Sequence, residues 1–113
     1  MSMIYNTKGI KMANLRELII TTDGEYTIVE SSPTGRENLE LSGNFGTATV
    51  TLKQSYTFSD GTEEPSAIIA DINATLTDVA NFEIAVGTKR NLIINVASTT
   101  GSTRIVAICK PLN

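Results

Sequence analysis

Thr47-Ala48-Thr49-Val50-Thr51-Leu52-Lys53 decides how this chain is read. On an extended backbone Ala48, Val50 and Leu52 fall on one side, and Thr47, Thr49, Thr51 and Lys53 on the other. That two-residue alternation belongs to a strand with one face in a core and one in water. The bias extends to the whole chain: Ser and Thr make 25 of 113 residues, and Thr alone supplies 16. Thr is β-branched, loses rotamer freedom against a helical turn and suits the half-wet face of a sheet.

Working outward, similar segments recur every ten to fifteen residues. Leu18 to Thr22 and Tyr26 to Glu30 flank Asp23-Gly24 and read as a hairpin. Upstream, Asn14 and Glu17 form a capping-box pattern that offers a competing helical turn over 13–18. Ser31 to Asn38 reads as a polar loop, and Leu39-Glu40-Leu41 as a short strand ended by Ser42-Gly43-Asn44. Gln54 to Phe58 extends the central strand, and Ser59-Asp60-Gly61-Thr62 turns the chain into an acidic loop. Ala67 to Leu76 alternates imperfectly, with room for a bulge. Phe82, Ile84 and Val86 share one face of the next strand, Leu92, Ile94 and Val96 one face of another, and Thr103 to Cys109 forms the last. Strands at this spacing, separated by Gly, Asn, Asp and Ser, predict an all-β antiparallel β-sandwich, jelly-roll-like or Ig-like. A parallel α/β sheet would require crossover helices that no stretch supplies. At 113 residues one domain is expected. Residues 1–16 read as an extended N-terminal arm and 17–113 as the sandwich. Met12 offers an alternative start.

Charge divides along the same line. Lys8, Lys11 and Arg16 precede the first acid, Glu17, whereas the remainder sets six bases against twelve acids, for a net charge of -3. A pI near 4.8 argues against general affinity for phosphate backbones or anionic membranes. The basic arm is either merely solvated or a docking element, with Lys8, Lys11 and Arg16 as its partner-binding residues. No run of about 18 apolar residues and no export signal is present, so a soluble, unexported protein is expected. Cys109 stands alone within an apolar run and reads as a small buried hydrophobe, so neither a disulfide nor a thiolate metal cluster is expected.

The chemistry that remains is sparse. The chain has no His, which removes the usual general base, the activator of Ser and Cys nucleophiles, and the favoured ligand of catalytic zinc. No Ser sits in a G-x-S-x-G elbow. Asp60, Glu63 and Glu64 are possible carboxylate partners, but their loop is read as lacking an aromatic platform for a sugar, and their spacing does not match an EF-hand. Lys89-Arg90 is a turn pair, and Tyr5, Tyr26 and Tyr56 are scattered, so no stacking surface for nucleic acid emerges. No enzymatic activity, cofactor or metal is expected.

Three segments carry a resemblance. They are Ser42-Gly43-Asn44-Phe45-Gly46 leading into Thr47 to Leu52; Ser59-Asp60-Gly61-Thr62; and Asn81-Phe82-Glu83-Ile84-Ala85-Val86-Gly87 with the following strand through Val96 and Thr100-Gly101-Ser102-Thr103. In this style of turn and strand, from Leu41 to the C-terminus, the chain resembles the small β-sandwich virion proteins of tailed bacteriophages, of the capsid decoration or cement type. The tryptophan that many such sequences carry after the D-G turn is absent here. The resemblance implies a structural virion protein made in the host cytoplasm and located on the capsid surface. Its partners would be the major capsid protein and copies of itself, as a homodimer or homotrimer. The alternative is a tail or fibre module, an adaptor or a binder of host-surface carbohydrate, for which Asp71, Asn73, Asp78 and Asn81 are the candidate cluster.

Overall fold

The computed structural model describes residues 16–69 and 76–113. Lys8, Lys11, Asp71 and Asn73 therefore lie outside the described residues. The described residues form eight strands, β1 (Arg16–Ile20), β2 (Gly24–Val29), β3 (Arg36–Asn44), β4 (Thr49–Ser55), β5 (Ala67–Ile68), β6 (Ala80–Ala85), β7 (Asn91–Ala97) and β8 (Arg104–Pro111). They make two antiparallel four-stranded sheets, ordered β1-β8-β3-β6 and β2-β7-β4-β5. The fold is a β-sandwich. The pairing is nested: β1 with β8, β2 with β7, β3 with β6 and β4 with β5, as if one long hairpin had been folded across itself.

The alternation read from Thr47 to Lys53 is realised in β4. Val50 and Leu52 are fully buried, while Thr49, Thr51 and Lys53 are half-buried on the outer side. Leu39, Leu41, Ile84, Leu92, Ile94, Val96, Ile105, Ala107 and Cys109 complete the layer between the sheets. Each large aliphatic side chain fully withdrawn from water contributes about 1.5–3 kcal/mol, so this layer is what holds the sheets together. In β2 the register with β7 shifts between Thr27 and Val29, and the extra residue allows Ile28 and Val29, adjacent in sequence, both to be buried.

Several expectations require revision. The segments around Asp23-Gly24 do not form a hairpin, because β1 and β2 belong to different sheets. The turn is a corner crossing the core. The Asp23 carboxylate accepts hydrogen bonds from the Thr99 amide at 2.9 Å and the Thr99 hydroxyl at 2.8 Å, tying the corner to the β7–β8 connection. With Ile20 and Ile28 both needing cover, bending the ribbon over the core buries both. Asn14 lies outside the described residues; of the expected helical turn over 13–18, Arg16, Glu17 and Leu18 are strand, and Arg16 is the first residue of β1.

The segment ending at Ser42-Gly43-Asn44 is not a stop: β3 runs through all three residues against β8. Gly43, at φ +94°, makes this possible, since a Cβ there would sit 2.2 Å from the Arg104 carbonyl oxygen. At its other end β3 takes in Arg36, Glu37 and Asn38, read above as loop. Of the strand expected over Ala67 to Leu76, residues 70–75 lie outside the described residues; Ala67–Ile68 form β5, and Leu76 exchanges two main-chain hydrogen bonds with Val50.

Candidate functional site

The antiparallel layout brings the β2–β3, β4–β5 and β6–β7 connections to one end of the sandwich. The first and third are laced together by main-chain bonds. Ser32 N donates to Arg90 O at 2.9 Å, Lys89 N to Ser32 O at 2.7 Å, and Val86 N and Gly87 N both donate to Gly35 O. Gly35, at φ +77°, is required there because a Cβ would lie 2.5 Å from the Thr88 nitrogen. The second connection is a small hairpin of its own. Glu64 N donates to Tyr56 O, Phe58 N to Thr62 O, and Gly61 N to Phe58 O.

Asn91 knits the three together from a buried position. Its Oδ1 accepts from Ser31 N at 3.0 Å, and its Nδ2 donates to Ser55 Oγ at 3.1 Å and Thr57 Oγ1 at 3.0 Å. A buried amide satisfied on both ends fixes loop positions more sharply than apolar contact does. Arg90 performs the second cross-link. Its guanidinium pairs with Glu64, donates to Gln54 Oε1 at 2.6 Å and lies 5.5 Å from the centre of the Tyr56 ring. Phe58 meets Tyr56 edge to face with ring centres 5.2 Å apart, and remains 47% exposed.

Between the loops lies a cavity of about 400 Å³ lined by Glu30, Ser31, Tyr56, Thr57, Ser59, Glu63, Lys89 and Asn91. Two of the three described non-glycine residues in the left-handed region, Ser31 at φ 54° and Lys89 at φ 64°, line it. Such conformations persist where surrounding structure enforces them, and here the Asn91 and Ser32 bonds do so.

The expected acidic trio divides. Asp60 folds back on its own turn, accepting from the Thr62 amide at 3.0 Å and hydroxyl at 2.7 Å, and those bonds hold its carboxyl below the ordinary range. Glu64 is taken by Arg90, and Glu63 leans toward Thr57 and Asn91 at the cavity wall. Among the described residues no three acid, Cys or His side chains converge as metal ligands. The loop does carry an aromatic pair, contrary to the reading above. Tyr56 and Phe58 stand two residues apart on an extended segment, a spacing that sends both rings to one side. That spacing was the available signal.

Of the remaining expected positions, Arg16 lies in β1 with its guanidinium 3.0 Å from the buried Glu37 carboxylate. Asp78 accepts from the Val79 amide at 2.7 Å, and Asn81 is exposed in β6 opposite Glu40. These two lie at or beside the opposite end of the sandwich from the cavity, so they do not contribute to it.

Outside the loops a short apolar row is present, with Glu17 and Glu40 across from Ile108 and Ser42 across from Val106 on the same face. On the outer face of the β1-β8-β3-β6 sheet, Ile19 is 60% exposed and stands directly across from Val106, with Ile108 one step along β8 on the same face. β1 is the edge of that sheet. The outer face of the other sheet is different: Ile93, which faces outward opposite Thr27 and Lys53, is buried at the base of the 63–66 segment.

Comparisons with protein-family models, with curated proteins and with solved structures gave no match.

Proposed function

We propose that this chain is a structural component of a bacteriophage particle, a capsid decoration or cement protein that acts by protein–protein contact. The observation that carries the reading is the Ile19–Val106–Ile108 strip beside the β1 edge. An edge strand offers unpaired backbone groups, and an apolar face next to it is a place where a neighbouring subunit gains burial and hydrogen bonds together. The nested strand order, read as a jelly roll, supports it further, because that architecture recurs in viral capsid proteins and in lectins. In the sequence, Lys8 and Lys11 precede β1. We infer that Lys8 and Lys11 contact the major capsid protein or a second copy of the chain.

Purified particles from a lysate that produces the protein test this directly. Quantitative mass spectrometry should find hundreds of copies per particle, and Ile19→Asp should lower that occupancy while leaving the isolated protein folded. A few copies to a few dozen would favour a tail or fibre module, the reading to which the Tyr56–Phe58 pair lends support. Absence from purified particles would refute both.

A further inference from the structure

We propose that the cavity at the β2–β3, β4–β5 and β6–β7 end is a saccharide-binding site that takes a single pyranose ring or the terminal ring of a glycan. This goes beyond the particle reading and does not depend on it.

The composition of the wall selects the ligand class. Glu30 and Glu63 bring two carboxylates against the single cation of Lys89, so the pocket repels phosphate, sulfate and nucleic acid rather than attracting them. Its size, about 400 Å³, lies at the small end of ligand pockets, and its wall mixes hydroxyls, carboxylates and one aromatic rather than the aliphatic lining that an apolar ligand requires. Neighbouring hydroxyls of a sugar ring suit planar carboxylate acceptors, which take two donors side by side. The weakly polar C–H face of a pyranose suits an aromatic ring whose face carries negative charge.

Both halves of that pairing are present, and the aromatic half is held in place. Tyr56 lines the cavity, and Phe58, packed edge-on against it and exposed, extends the aromatic surface outward. Arg90 braces the Tyr56 ring, and Glu64 and Gln54 hold Arg90. Glu30 is exposed and, among the described residues, has none of the side-chain contacts that occupy Asp60 and Glu64, which leaves its carboxylate open to a ligand. Thr57, Ser59 and Ser31 offer hydroxyls at the same wall. Bracing Tyr56 matters here, because a site gains affinity when its contact side chains do not have to be ordered on binding.

The test uses the full isolated chain, ¹⁵N-labelled, titrated separately with glucose, galactose, N-acetylglucosamine and rhamnose into the millimolar range while amide resonances are followed. At least one sugar should shift the amides of Ser31, Thr57 and Asn91 saturably and leave those of Gly101 and Ser102 at the far end unmoved. Glu30→Gln, at an exposed position, and Tyr56→Ala should each weaken that binding by about tenfold or more. Asp78→Asn, remote from the cavity, should bind as the parent does. The same spectra report whether Tyr56→Ala has kept its fold, and Glu30→Gln carries the test if it has not. If none of the four sugars moves the cavity amides, or if binding is indifferent to Glu30→Gln with the fold intact, the site is not a saccharide site. Such a failure would leave the particle reading standing, since copy number is measured on a different sample.

Discussion

Removing the Arg16 guanidinium should destabilise the sandwich more than its position at the first residue of a strand suggests. Glu37 is fully buried, and its carboxylate meets Arg16 at 3.0 Å, the Ser32 hydroxyl at 2.5 Å and the Cys109 thiol at 3.6 Å. At 3.0 Å and an effective dielectric of about 20, the charge attraction is roughly 5 kcal/mol gross. Arg16 keeps a fifth of its side-chain surface in water, which screens part of this. In Arg16→Ala the carboxylate stays behind without its cation, and a net loss of about 2–3 kcal/mol is expected. For a domain of this size that is a fall in Tm of roughly 10–20 °C. Glu37→Gln should cost less, because the guanidinium can swing to solvent whereas the carboxylate cannot. Urea titrations of both single variants and the double variant, followed by tyrosine fluorescence, give the coupling directly. If Arg16→Ala stays within about 0.5 kcal/mol of the parent, the value expected for an ordinary surface change, the buried pair is not holding β1 to the sheet.

Three other outcomes follow from particular contacts. Gly43→Ala should lower stability by at least about 2 kcal/mol in the same titration, since it meets both a positive φ and the Arg104 carbonyl; a neutral result would mean that β3 can be displaced cheaply from β8. Burial, with the Glu37 carboxylate adding to it, pushes the Cys109 thiol up from 9.0 to about 12. The unfolded chain then ionises first, so stability should fall as pH rises from about 9 towards 12, by up to ~1.4 kcal/mol per pH unit. Cys109→Ala should flatten that slope, and the native thiol should resist Ellman's reagent at pH 8. The Thr99 amide and hydroxyl hold the Asp23 carboxyl below its ordinary 3.8. Its contribution is therefore present above that pH and lost as pH falls through the lower native value, and Asp23→Asn should soften acid unfolding below about pH 4; an unchanged acid limb would show the corner to be held by other contacts.

Local pattern and distant pairing separate cleanly in this chain. Alternation told which side chains of β4, β6 and β7 face inward, because the period of a strand is a property of the backbone and needs no partner. Turn chemistry located Ser59-Asp60-Gly61-Thr62 correctly, and Asp60 closes that turn with its own carboxylate. Asp23-Gly24 was legible as a change of direction but not as a crossing between sheets, since that choice depends on Thr99, 76 positions away. The cavity was still less legible. Glu63 and Tyr56 share one loop, but Ser31, Lys89 and Asn91 come from two others, and nothing in any one stretch announces the meeting. Glu37 shows the limit most sharply: a charged residue in an apparently polar segment becomes one of the most buried groups of the molecule because Arg16 and Ser32 arrive to receive it.

The sequence by itself determined an all-β chain with inward rows of Val, Ile and Leu, a turn at Ser59-Asp60-Gly61-Thr62 and a lone thiol expected in the core. Those properties follow from steric preference and two-residue periodicity, which act over a few neighbouring atoms. Only the tertiary structure decided which strands pair, which loops share an end, and which charge is buried. Each of those outcomes is set by hydrogen bonds and apolar contact between residues far apart along the chain, whose joint stability no local segment encodes.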